Sequence, residues 1–175
     1  GILFDKNKML LDPYAKAVTG QSVWGKRPDG GTHYKARVVR DDFDWGNSRQ
    51  PLLPMEDLIV YEMHVRGFTK SETSKVSNPG TFAGMMEKIP YLKELGITAI
   101  ELMPVFEFDE LRDRREVEGE TLLDYWGYNT VSFFAPNTGY CAGIEYNREG
   151  NELKQLIKAM NSEGIEVFLD VVFNH

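Results

Sequence analysis

The sequence predicts an α/β fold built on a parallel sheet, and three observations predict it. From Asp57 onward, apolar runs alternate with helical stretches in the order β-α-β-loop-α-β. The runs "DLIVYEMHVRGF", "ITAIELMPV" and "IEVFLDVVFNH" are almost continuously apolar, as strands covered on both faces are. The last of them ends in Asp170, Asn174 and His175, a polar exit at the edge where parallel α/β sheets collect ligands. A doubly wound sheet and a (β/α)8 barrel both satisfy this rhythm.

Each element has its own signal. Residues 1–54 show no helical period. Turn signals at Asp12-Pro13, Pro28-Asp29-Gly30-Gly31 and Trp45-Gly46-Asn47 separate short runs such as Tyr34 to Val39. "SRQPLLPMED" carries Pro51 and Pro54 and reads as a linker. The first strand run follows, with Arg66 to Thr69 expected at its exit. In "TFAGMMEKIPYLKEL", Phe82, Met85, Met86, Ile89, Leu92 and Leu95 form one helical stripe. Pro90 is expected to kink or divide that helix, and Gly96 to close it. Ile97 to Val105 is the second strand. Residues 106–149 read as a long irregular stretch, with the charged Asp109 to Glu120 a solvated loop. "NELKQLIKAMNSEG" is a second helix, with Leu153, Leu156, Ile157 and Met160 on one face and Gly164 at its end. Ile165 to His175 forms the third strand.

Composition excludes several function classes. With 175 residues, 42% of them hydrophobic and 12% aromatic, the chain can bury a sizeable core. A formal charge of −7 argues against nucleic acid and against an anionic membrane surface. No run approaches the ~18 apolar residues of a membrane span. Cys141 is the lone cysteine, so no internal disulfide forms, and a reducing, cytoplasmic or plastid compartment fits. The chain opens on Gly1, so the lack of a leader peptide says nothing about targeting.

The chemistry-bearing motifs each have a bland alternative. "GQSVWGKR" places Gly20, Gly25 and Lys26 at phosphate-loop spacing. Arg27, however, stands where a Ser or Thr must reach Mg²⁺, so a plain loop is expected. "YWGYN", Tyr125 to Asn129, suits a sugar, whose C–H faces pack on rings and whose hydroxyls want amides and hydroxyls. Its rings could equally anchor a long loop to the core. Asp170, Asn174 and His175 could contact substrate, move protons, or simply finish a strand. No second His or Cys lies at metal-ligand spacing. Glu62, His64 and Arg66 alternate along the first run, which suggests a polar strand face with a structural ion-pair network.

Taken together, "VYEMHVRGFT", "GITAIELMPVFEF", "YWGYNTVSFFAP" and "FLDVVFNH" resemble the α-amylase family of glycoside hydrolases, within it the isoamylase and glycogen-debranching branch. "LLDPYAKAVTG" and "DFDWGN" resemble the stretch leading into the barrel of those enzymes. The resemblance implies strands 1 to 3 of a (β/α)8 TIM barrel over residues 55–175. Residues 1–54 would then be the end of a β-sandwich carbohydrate-binding module and its linker. It implies hydrolysis of α-1,6 branch linkages in glycogen, amylopectin or limit dextrin by a retaining route. A branching enzyme or a non-catalytic glucan-binding module is the alternative. By the same resemblance His175 hydrogen-bonds the sugar at the cleaved bond, and Tyr128 is the aromatic platform beneath it. Trp126 stands where many amylases have a histidine contact. Asp170 orients neighbouring active-site groups, and Asn174 supports the following loop. The matching Asn binds calcium in some amylases, a role this branch often lacks, so no cofactor is expected. The family's catalytic carboxylates follow later strands, so none is expected in this chain, which alone should be inactive.

Overall fold

The computed structural model describes residue 7 and residues 9–19, 23–26 and 34–174. The first strand, β1 (Val60–Met63), is shorter than its apolar run. It stops because His64 caps a helix. The His64 Nδ1 accepts hydrogen bonds from the backbone N–H groups of Arg66 and Gly67, both at 3.1 Å, two donors with no partner inside the first helical turn. Helix α1 (Val65–Lys70) follows at once. The expected alternation of Glu62, His64 and Arg66 along one strand is therefore corrected. Glu62 lies in the strand, His64 is the cap, and Arg66 is helical. Arg66 to Thr69, expected at the strand exit, form that helix instead.

The long apolar stripe is divided at Pro90, as expected. It forms α2 (Phe82–Met86) and α3 (Ile89–Glu94), with Pro90 in the first turn of α3, where its missing N–H has no helical partner to lose. Phe82, Met85 and Leu92 are fully buried, while Leu95 falls beyond the division and is exposed. Strand β2 (Ala99–Leu102) pairs in parallel with β1, Val60 opposite Ala99 through Met63 opposite Leu102.

Residues 106–149 are more ordered than their composition suggests. β3 (Phe106–Phe108) comes first. β4 (Arg115–Val117) and β5 (Glu120–Leu122) then form a hairpin whose two turn residues, Glu118 and Gly119, sit at φ +52° and +85°. Both left-handed residues match the twist of the flanking strands, a turn chemistry hidden inside a charge run. β6 (Thr130–Pro136) returns antiparallel to β3 with register shifts on either side of Glu107.

Helix α4 (Asn151–Ser162) buries Leu153, Leu156 and Met160, and leads into β7 (Glu166–Leu169). β7 pairs in parallel with β2, giving the sheet order β1-β2-β7. The described residues before Met55 contain no helix. They run as a strap with one isolated bridge, Val18 to Ala36. The strap is pinned to the α4 region by charge. Arg37 meets the buried carboxylate of Glu149 at 2.6 Å, Arg148 meets Asp42 at 2.7 Å, and Lys158 donates to the Asp44 carbonyl at 2.8 Å. No helix among the described residues is long and apolar enough to cross a membrane.

One face of the three-stranded sheet carries exposed Val60 and Phe168, and β1 and β7 each have an unpaired edge among the described residues. Open edges and exposed apolar side chains template association. This 175-residue stretch, studied alone, is expected to show a concentration-dependent sedimentation coefficient. Phe168→Lys should reduce that dependence. A concentration-independent monomer with a single cooperative, high-temperature melt would contradict this.

Candidate functional site

The site is assembled at the carboxyl ends of the parallel strands. Asp170 follows β7 directly and its backbone N–H donates to the Leu102 carbonyl at 2.9 Å, extending the ladder by one residue. Asp170 lies two residues beyond Phe168, so it projects on the same face. Glu62, Glu101 and Phe168 stand side by side in register on that face. The Tyr128 hydroxyl donates to Asp170 Oδ2 at 2.5 Å. That bond, with some burial and the negative charges of Asp170, Glu62 and Glu101, pushes the Tyr128 phenol up to about 12. Tyr128 is thus a fixed, neutral ring with its edge tied to a strand end.

The loop that presents Tyr128 is held by its other members. His64 Nδ1 is committed to accepting from two backbone N–H groups, so its proton sits on Nε2. Nε2–H then donates to the Tyr125 carbonyl at 2.6 Å, with the Tyr140 hydroxyl 3.2 Å away as a second neighbour. The His64 and Tyr125 rings stack at 3.9 Å between centroids and 9° between planes. Burial holds the His64 imidazole below its usual range, which preserves this neutral form. Trp24 packs edge-on to Tyr125 and stacked on Tyr140, and the Arg66 guanidinium lies 4.8 Å over Trp24. Gly127 sits at φ +81°, and a Cβ there would lie 2.5 Å from the Phe108 ring. The loop closes onto the core through this absence of a side chain.

The two readings of "YWGYN" therefore divide between its residues. Tyr125 and Gly127 anchor the loop, whereas Trp126 is 61% exposed and stands edge-on to Tyr128 at 6.4 Å. Asn129 accepts from Arg112 at 2.9 Å and donates to Asp113 at 3.3 Å. A cavity of about 690 Å³ opens beside this loop, lined among others by Trp126, Tyr128, Leu122 and Arg115. Of the residues expected in the site, Tyr128 and Asp170 are joined and Trp126 is adjacent. Asn174 is exposed, and His175 lies outside the described residues. In the phosphate-loop lookalike, Gly20 and Arg27 also lie outside them. Lys26 there closes a turn, its N–H donating to the Val23 carbonyl at 3.0 Å.

Two of the buried acids, Glu107 and Glu110, lie at and just beyond β3. Glu107 Oε2 accepts from the Thr138 N–H at 3.0 Å. Glu110 is fully buried, and neither of its carboxyl oxygens has a hydrogen-bond partner among the described residues. Burial, reinforced by the like charges of Glu107 and Asp109 and opposed by the dipole of its own backbone N–H and by the charge of Arg66, pushes the Glu110 carboxyl up to about 8. In "VFEFDE" Glu107 stands between Phe106 and Phe108, inside an apolar run. A carboxylate inside an apolar strand buried on both faces is the signal that could have found Glu107. Burial also raises the Cys141 thiol to about 12, so it is not a ready nucleophile. Among the described residues, no group of three or more His, Cys, Asp or Glu is placed to hold a metal ion.

The chain is similar to known proteins. The family model "Alpha amylase, catalytic domain" matches residues 62–175. The Arabidopsis thaliana protein isoamylase 1, chloroplastic, is 42% identical over 185 residues, covering all of this chain and 24% of its own length. A glycogen debranching enzyme of Yersinia enterocolitica is 37% identical over 190 residues, covering all of this chain and 28% of its own. The crystal structure of a pullulanase from Anoxybacillus sp. LM18-11 complexed with maltotetraose superposes with a TM-score of 0.73 at 33% identity. It covers 94% of this chain and 24% of that one. The chain spans about a quarter of the length of the curated relatives it matches.

Two outcomes test the geometry. Gly127→Ala should destabilise the folded protein by about 2 kcal/mol or more, through the left-handed backbone and the Phe108 collision, measured by denaturant unfolding. Glu110 keeps its proton to about 8 when folded but releases it near the ordinary 4.5 when unfolded. Its contribution is therefore fully present below pH 4.5 and falls away as pH rises through 8. Glu110→Gln should remove that downward slope from a stability-versus-pH curve; an unchanged slope would place the effect elsewhere.

Proposed function

This chain belongs to the alpha-amylase catalytic-domain family, and we propose that it is part of an enzyme that hydrolyses α-1,6 branch linkages in α-glucans such as glycogen, amylopectin or limit dextrin. Its parallel strands belong to a catalytic domain of the (β/α)8 type. The observation that carries the reading is the Tyr128–Asp170 hydrogen bond at the exit of β7. It fixes an aromatic ring where a barrel enzyme receives its substrate.

In this reading a glucosyl unit packs its apolar C–H face on Tyr128 and meets polar groups at its rim. Trp126 offers a second ring. Glu62, Glu101 and Asp170 surround the base of the site with negative charge, which favours a sugar gaining positive, oxocarbenium-like character over an anionic substrate. His175 hydrogen-bonds the sugar at the cleaved bond, and Asn174 supports the loop that follows. Retaining hydrolysis needs two carboxylates about 5–5.5 Å apart, one attacking the anomeric carbon and one protonating the leaving oxygen. We assign both to later strands of the barrel, and to none of the residues described. Residues 1–54 are read as the end of a β-sandwich carbohydrate-binding module with its linker, and 55–175 as barrel. The helix-free strap with its Val18–Ala36 bridge supports that division. Relatives named for isoamylase and glycogen-debranching activity, and a pullulanase holding maltotetraose, support the substrate class.

The test is reducing-end release from amylopectin by the full-length protein. Debranching liberates reducing ends and deepens iodine staining; a branching transferase leaves the reducing ends constant and weakens the stain. Tyr128→Ala should cut kcat/KM about tenfold, the scale of one lost aromatic contact, with little change in melting temperature. Tyr128→Phe should retain most of it. Unaltered turnover in Tyr128→Ala would remove the ring from the site.

A further inference from the structure

We propose that the β4–β5 hairpin is a specificity element for the same site: it contacts glucosyl units of the glucan beyond the one seated on Tyr128. This rests on the glucan reading above and adds to it a set of residues and a function, discrimination by chain length.

The hairpin, Arg115 to Leu122, buries no residue, and every one of its strand positions is exposed. A two-stranded hairpin is marginal in water and adds nothing to this core. It is nevertheless built with care. Two left-handed turn residues set its register, and Thr121 braces Glu116 across the strands at 2.7 Å. What it does shape is the wall of the 690 Å³ cavity that Trp126 and Tyr128 line from the other side. That volume lies within the roughly 300–1,000 Å³ of small-ligand clefts.

The chemistry of the cavity suits a sugar chain. Trp126 is 61% exposed, Leu122 is 49% exposed, and both face the same space. The Trp126 and Tyr128 rings stand at 88° to each other. Two successive units of a bent α-glucan can each meet one of two rings so disposed. Arg115, Asp113 and Asn129 supply donors and acceptors for hydroxyls. The Arg112–Asn129–Asp113 chain of hydrogen bonds ties the base of the hairpin to the residue next to Tyr128, so the two walls are held as one unit. Asp113 and Asp124 with Arg115 leave the cavity only weakly charged, which an uncharged polymer tolerates. Continuity with the Tyr128 platform names the occupant: more of the same glucan.

The experiment measures binding of maltohexaose and of maltose to the full-length protein by calorimetry. One variant replaces residues 114–121 with a short Gly-Ser turn. A second, Arg115→Ala, changes one exposed side chain and covers the case in which the first fails to fold. The excised variant should weaken maltohexaose about tenfold and Arg115→Ala severalfold, with maltose unchanged in both. Equal affinity of parent and variants for maltohexaose, or an equal loss for both sugars, overturns the proposal. Reducing-end release is scored separately. A parent that binds maltohexaose through the hairpin but releases no reducing ends from amylopectin removes the debranching reading and leaves this one standing.

Discussion

The hydrogen bond from His64 Nε2–H to the Tyr125 carbonyl holds the site to the sheet. One imidazole does two jobs with two nitrogens. Its Nδ1 ends the first strand by capping a helix, and its Nε2 catches a loop distant in sequence. Both jobs require the neutral ring, because a protonated Nδ1 would turn an acceptor into a donor facing two N–H groups. Burial among Trp24, Tyr125 and Tyr140 supplies that neutrality. Depressing the imidazole pKa means this anchoring is fully present above the ordinary value of 6.5 and is lost as the pH falls through the depressed one. The strand end, the loop and the aromatic cluster therefore stand or fall together.

From that anchor the rest of the geometry follows. Tyr125 is stacked on His64 and Gly127 is buried against Phe108, which leaves Trp126 exposed and Tyr128 half-buried beside it. Tyr128 is caught a second time, by Asp170 at the end of β7. A ring fixed at both its backbone and its hydroxyl loses little freedom when a ligand packs on it, which is how a rigid platform gains affinity without added area. Beneath it the carboxylates of exposed Glu62 and half-buried Glu101 share one row of the sheet, a negative floor suited to a neutral polyol.

The sequence made the parallel β-α-β-loop-α-β order legible, because hydrophobic period and strand apolarity report directly on burial. Pro90 dividing the helix and Leu156 and Met160 inside α4 followed from the same rules. The end of β1 was not legible. "YEMHVRGF" reads as a strand by propensity, and the cap depends on a His side chain whose hydrogen bonds only three-dimensional contact reveals. Nor was the hairpin, whose turn is buried in a charge run and whose strands carry no apolar alternation. In the site, residue types pointed to Tyr128 and Asp170 separately. Their contact links positions 42 residues apart, beyond the reach of local pattern. Glu110 was masked by its acidic neighbours, since composition cannot tell a solvated carboxylate from a buried acid.

On the proposed reading, Tyr128, held by Asp170 and by the His64-anchored loop, is the platform on which a glucosyl ring sits. The most direct measurement is a crystal structure of the full-length protein with a bound maltooligosaccharide. A glucose ring packed face-on against Tyr128, with the tyrosine hydroxyl still donating to Asp170, is the expected result. A sugar seated elsewhere on the strand ends, with the Tyr128 ring uncovered, would contradict it.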